Sequence, residues 1–283
     1  MEHEKEQLAV SIIGAGGKMG TRACQNLSRH PYTLYLCETA PEAVKRIRSR
    51  GQDVSAVETA VPESDVVILA VPDRLIGAVS ADVAPQMRAG AMCLLLDPAA
   101  AYLGEVRLRR DCTFVVAHPT HPPLFAEEDS LEALKDYFGG ALAYQDVVIA
   151  LMQGPETDYG RAETLCRHLF GRVRRCHRVT VEQMALLEPA AAEVIAGSVA
   201  GVLRAATDEV VRRGVPEEAA RAFMLGHIRI ILAVLFDQTG FPVSDAAKIA
   251  FQIGEEYVIR PDWKRVFEPE IVRRTIERMV HPR

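Results

Sequence analysis

Six cysteines are few for 283 residues, and no two of them stand as a C-x-x-C pair. Cys24, Cys37, Cys93, Cys112, Cys166 and Cys176 lie mostly inside apolar runs. That distribution excludes a disulfide framework and predicts buried, reduced thiols. Aromatic residues are also scarce, at 6% with a single tryptophan, and no basic run is interleaved with them. With a net charge of −5, nothing points to nucleic acid. Arg172, Arg174, Arg175 and Arg178 do cluster, but their alternation around Val173 and Cys176 reads as one strand with a solvated face. The opening residues, MEHEKEQ, have no apolar core of a secretory signal, so a cytoplasmic protein is expected. The most apolar later run, 185–203, contains Glu188 and Glu193 and has Arg204 at its edge, which argues against a membrane span. Repeats and low-complexity segments are lacking as well. What is present is 49% hydrophobic and 25% charged residues, enough for a sizeable core in one or two domains.

The most specific signal is 8–27, LAVSIIGAGGKMGTRACQNL. A short β-rich run stops at Gly14, four glycines (14, 16, 17 and 20) follow within one turn, and an amphipathic stretch begins. Glycines allow a positive φ and a close approach of backbone to phosphate, and a helix N-terminus offers unpaired N–H groups. The spacing, G-x-G-x-x-x-G, is one residue longer than the usual dinucleotide fingerprint, with Met19 where the third glycine would fall. A second apolar run, Thr33–Cys37, ends at Glu38. An acid about 20 residues beyond the first glycine is placed to accept hydrogen bonds from both ribose hydroxyls and to repel a 2′-phosphate. Gly14, Ala15, Gly16, Gly17, Lys18, Met19 and Glu38 are therefore the expected contacts of NAD, with Pro72 beside the nicotinamide ribose.

Strand-like runs at 8–13, 33–37, 66–71, 91–96, 113–117, 146–151 and 173–179 alternate with helical stretches at 18–30, 41–50, 74–88 and 156–170. This alternation predicts an α/β fold, a Rossmann-type parallel sheet with helices on both faces. After Thr180 the strands stop. Residues 181–213 read as one long helix, kinked at Pro189, followed by helices at 216–238, 244–258 and 268–280. The expected division is an NAD-binding domain over 1–179 and an all-helical substrate and dimerisation domain over 180–283. Gly197 and Gly201 make one face of the long helix small, and the apolar surface of the helical half predicts a homodimer.

Ligands of an open parallel sheet bind outside the carboxyl ends of its strands. Two such ends carry Asp97-Pro98 and the loop His118-Pro119-Thr120-His121-Pro122-Pro123. Histidines suit both proton transfer near neutral pH and metal ligation, so His118 and His121 are candidate catalytic residues. Asp97 reads as a substrate contact or as a helix cap. Glu188 stands in the apolar stretch MALLEPAAAEVIAG, where a carboxylate is costly unless paired or ligating. His118 and Glu188 are thus candidate ligands of a divalent metal, zinc or magnesium, with Glu188 also in the catalytic set.

A Rossmann domain followed by a helical domain resembles the β-hydroxyacid and 6-phosphogluconate dehydrogenases, ketol-acid reductoisomerases and prephenate dehydrogenases. The first group relies on a lysine early in the helical domain, and here no lysine lies between Lys135 and Lys248. GAGGKMG at 14–20, AHPTHPP at 117–123 and ALLEPA at 185–190 together resemble the phosphogluconate-dehydrogenase-like family that includes D-apionate oxidoisomerase. That resemblance implies NAD-dependent oxidation of the C2 hydroxyl of a branched sugar acid, with a 1,2-shift of a hydroxymethyl group from C3. His118 is then either the base or a metal ligand; in the second case His121 or a metal-bound hydroxide is the base. A simple hydroxy-acid or prephenate-like dehydrogenase, and an NAD-sensing regulator without chemistry, are the competing readings.

Overall fold

The computed structural model describes residues 7–282, so the hydrophilic stretch 1–6 lies outside the described residues. Two compact units are present, one reaching to Ala185 and taking in the chain again from Ile276, the other Leu186–Thr275.

The first unit is a seven-stranded sheet: β1 (Leu8–Ile13), β2 (Tyr32–Cys37), β3 (Val66–Leu69), β4 (Met92–Leu95), β5 (Thr113–Pro119), β6 (Gln145–Gln153) and β7 (Val173–Arg178). Their spatial order is β2-β1-β3-β4-β5-β6-β7. All neighbouring pairs run parallel except β5 with β6, which is antiparallel. Helices α1 (Lys18–Leu27), α2 (Pro41–Arg48), α3 (Val57–Glu63), α4 (Asp73–Val83), α5 (Ala99–Leu103), α6 (Thr157–Phe170) and α7 (Val181–Ala185) accompany the strands. The strands read as unbroken apolar runs because both faces of the sheet are covered. Successive residues go to opposite sides: Ile12, Ile68, Leu94 and Val115 join one buried cluster, and Ile13, Leu69, Leu95 and Val116 the other. Phe114 is fully buried in the latter. The clustered arginines are individually engaged, Arg172 with Asp129 and the Tyr144 ring, Arg178 with Glu156.

The second unit is helical. A continuous helical run, Val181–Arg212, changes pitch twice: α7 gives way to a π-helical stretch, Leu186–Gly197, and then to α8 (Ser198–Arg212). The expected single helix is therefore present without a uniform ladder. Pro189 stands inside the wide turns; it carries no N–H and cannot complete an ordinary i→i−4 bond. Helices α9 (Glu217–Leu235) and α10 (Asp245–Tyr257) follow, and α11 (Pro269–Val280) begins in this unit and ends in the first, which resumes at Ile276. The α10 N-terminus is capped by Ser244, whose side chain accepts the Ala247 N–H at 3.2 Å. Neither α8 nor α10 has a buried residue, and Phe223, Leu225 and Ile253 are more than half exposed. By length and composition 181–212 is apolar enough to cross a membrane, although Glu188 and Glu193 lie within it.

Candidate active site

In the sheet unit, β1 leads to β2 on one side and β3 follows on the other, so the strand order reverses at β1. The glycine turn sits at that switch point. Gly14 has φ +83°, and a Cβ there would lie 2.6 Å from the carbonyl oxygen of Ala70. On Gly16 a Cβ would lie 2.6 Å from the Cβ of Ala43, and on Gly20 it would run into the Gly14 carbonyl. These glycines are required by packing before any ligand arrives. The turn is tied back by the N–H groups of Gly14 and Ala15, both donating to the Cys37 carbonyl at 2.9 and 3.1 Å. At the N-terminus of α1 no side chain caps the helix and its first turn carries no acid. The leading N–H groups of α1 and the positive end of its dipole thus remain for an anion.

Glu38 closes the adenosine side. Its Oε2 accepts the Gly16 N–H at 3.0 Å, and its Oε1 accepts those of Thr39 and Ala40 at 2.8 and 3.0 Å. The carboxylate is held beside the turn with one of its roughly four acceptor sites left for a ribose hydroxyl. Arg46 donates to the Gly16 carbonyl at 3.1 Å, bracing the same turn from α2. Pro72 is the N-cap residue of α4, past the end of β3. The turn, helix terminus and acid fit a dinucleotide.

Two strands further along, β4 and β5 deliver Asp97 and His118. A carboxylate oxygen of Asp97 and a ring nitrogen of His118 lie within 4.8 Å. Asp97 Oδ1 also accepts the Ala99 N–H at 2.7 Å, so this residue starts α5 and faces the histidine at once. His118 is half-buried, and its Nδ1 lies 2.8 Å from the Pro119 carbonyl. A carbonyl only accepts, so Nδ1 carries the proton and Nε2 is the ring's lone-pair nitrogen. His121 lies edge-on to His118 with ring centroids 6.3 Å apart. It adopts φ +61°, unusual for a residue with a side chain and more so directly before Pro122, where extended backbone is the ordinary preference. Its Nδ1 lies 3.1 Å from the Phe138 carbonyl and, by the same reasoning, donates to it. Glu188 opens the second unit, three residues after Ala185, in the π-helical stretch.

Sequence reasoning left Asp97 between a substrate contact and a helix cap and did not join it to His118; its place at a strand end beside the β5 histidine was the signal available. Beyond the histidine loop it missed the rest of the segment between β5 and β6, residues 124–144. There Asp136 accepts the N–H groups of Gly139, Ala141, Leu142 and Ala143 at 2.8–3.1 Å. Partial burial works against its charge, but the backbone donors outweigh it and hold the Asp136 carboxyl below the usual carboxylate range.

Residues 126–280 match the C-terminal domain family of decarboxylating phosphogluconate dehydrogenases, and residues 5–124 match the NADPH-binding domain of acetohydroxy acid isomeroreductases. A D-apionate oxidoisomerase of Cupriavidus necator is 44% identical over 276 residues, covering 97% of this chain and 99% of that protein. One from Blautia hydrogenotrophica is 40% identical over 280 residues, 98% of each. A crystal structure of a semialdehyde dehydrogenase NAD-binding protein from Cupriavidus necator, in complex with calcium and NAD, superposes with a TM-score of 0.94 at 43% identity. It covers 96% of this chain and 99% of that one.

Proposed function

Because the chain belongs to the phosphogluconate-dehydrogenase-like family that includes the D-apionate oxidoisomerases, we propose that it converts D-apionate to 3-oxo-isoapionate with NAD. Full-length identity of 40–44% to relatives of that name carries the reading. When bound, NAD accepts the hydride from the C2 carbon. The sugar acid also releases the C2 hydroxyl proton and becomes a 2-keto acid. Loss of the neighbouring C3 hydroxyl proton then lets the hydroxymethyl group leave C3 with its bonding pair and attach to C2. C3 becomes the carbonyl carbon and the C2 oxygen takes up a proton. The net change is two hydrogens removed, one as hydride and one as a proton.

Gly14, Ala15, Gly16, Gly17, Lys18 and Met19 cradle the pyrophosphate, and Glu38 selects NAD over its 2′-phosphorylated form. Pro72 borders the nicotinamide ribose. The sheet domain, to about residue 179, is the cofactor half, and the helical remainder contributes Glu188 and the dimer surface. His118, Glu188 and Asp97 are the donors for a divalent cation. The Nδ1–H of His118, committed to a backbone carbonyl, supports ligation through Nε2. A cation held there would polarise the two oxygens of the ketol. His121, at the exposed side of the loop, moves the protons. The apolar faces of α8, α9 and α10 are covered by a second copy in a cytoplasmic homodimer, not by lipid.

The test is incubation with NAD and D-apionate while following the NADH absorbance band, with product identification by mass spectrometry and carbon NMR. NADH formation with a quaternary C2 in the product is expected. A product still bearing an unrearranged 2-keto group would reduce the enzyme to a simple dehydrogenase, and no NADH would overturn the reading. Chelator dialysis is expected to abolish the rearrangement and added cation to restore it; indifference to both removes the metal.

A further inference from the structure

Lys18 and Phe138 are far apart in sequence, yet the ammonium of Lys18 lies 3.3 Å from the centroid of the Phe138 ring. Arg22, one turn further along α1, donates to the carbonyl of Gly139 and lies 5.7 Å from the same ring. Phe138 also meets His121, with ring centroids 5.7 Å apart in an edge-on arrangement. His121 in turn meets His118. One aromatic ring therefore touches both the residue that opens the cofactor helix and the mobile-proton candidate of the histidine loop. Its own position is built: four backbone N–H groups gather on Asp136, and Gly139 and Gly140 turn there with φ of +73° and +82°.

We infer that Phe138 is a positioning residue that holds Lys18 at the mouth of the glycine turn and His121 beside His118, joining the cofactor site to the proton-transfer site. The inference rests on the cofactor and histidine roles proposed above. A cation over an aromatic face is attracted by the ring quadrupole, and an ammonium already held in place loses less freedom when phosphate arrives. Tyrosine preserves that face, whereas leucine preserves bulk without it. Phe138 is about half exposed, so these substitutions leave the fold intact, as circular dichroism will verify.

The experiment is a double-mutant cycle on NAD affinity, measured by calorimetry without sugar acid. K18M in the wild-type background is expected to weaken binding about tenfold, and F138L about fivefold. In the F138L background K18M should cost only about twofold, because Lys18 is no longer held. F138Y should bind NAD within about twofold of wild type. Turnover supplies the second readout: F138L lowers kcat about threefold while the sugar-acid KM stays constant, and F138Y restores kcat. Additive effects of K18M and F138L would overturn the coupling to the cofactor turn. An unchanged kcat in F138L would overturn the link to His121. If wild type binds NAD and the cycle is additive, the inference alone fails; if wild type does not bind NAD, the cofactor reading fails with it.

Discussion

The two units handle apolar side chains in opposite ways. The sheet unit encloses them: Phe114, Ile12, Ile68, Leu69, Leu94 and Leu95 are fully buried, and each such side chain is worth roughly 1.5–3 kcal/mol. The helical unit displays them: Leu225 on α9 and Ile253 on α10 are 64% and 53% exposed. The first region buries its large apolar side chains within the chain, and the second leaves several of them exposed. The difference makes the sheet unit the place to test folding and the helical unit the place to test the proposed self-association.

Core deletion probes that contrast most severely. Phe114→Ala should cost about 3–5 kcal/mol of stability, read as a fall in the urea midpoint. A loss below about 1 kcal/mol would mean that the sheet interior does not dominate. On the helical side, Leu225→Asp combined with Ile253→Asp should weaken self-association by about 100-fold or more, followed by analytical ultracentrifugation. NAD affinity per chain should stay within about twofold in that variant, since the cofactor cradle lies in the other unit. An unchanged sedimentation profile would remove these faces from the dimer surface.

A smaller effect is expected at the cofactor edge. Glu38→Ser should weaken NAD about tenfold and erode its preference over the 2′-phosphorylated dinucleotide, measured as the ratio of dissociation constants. The smallest concerns pH. His168 stacks on His30 with centroids 3.7 Å apart, and Tyr32 Oη lies 2.7 Å from its Nδ1. Burial, then the nearby His30, pushes the His168 pKa below its ordinary 6.5. The fold therefore favours neutral imidazole, so this contribution is full above the ordinary pKa and is lost as pH falls below it. Between about pH 7.5 and 5.5 the melting temperature of His168→Gln should fall by about 1–2 °C less than that of wild type. Equal slopes would remove His168 as a source of acid sensitivity.

Strands and the cofactor turn were legible in the sequence because their causes are local. An apolar run ended by Gly14 or by Asp97-Pro98 declares its own boundary, and Glu38 follows its strand directly. Helix α3 was not read: VETAVPE has seven residues and carries Pro62. Helix α5 is shorter still, at five residues, with Pro98 at its N-cap and Asp97 accepting the Ala99 N–H from just ahead of it. The reversed direction of β6 left no mark because a strand buried on both faces is apolar whichever way it runs. Asp97 was ambiguous because a strand-end carboxylate can accept a backbone N–H of the following turn and still lie near the His118 ring. Phe138 was invisible for another reason: an aromatic in a polar loop declares no partner until the chain returns to α1.

The antiparallel return of β6 has a consequence of its own. A parallel crossover carries its connection away from the ligand edge, whereas a strand that doubles back leaves the whole linking segment there. Residues 120–144 are therefore anchored at both ends to the histidine strand and its neighbour, and their interior is free of sheet register. His121 and Phe138 both lie in that span, so the sheet fixes where their loop begins and ends while the loop itself sets how they face each other.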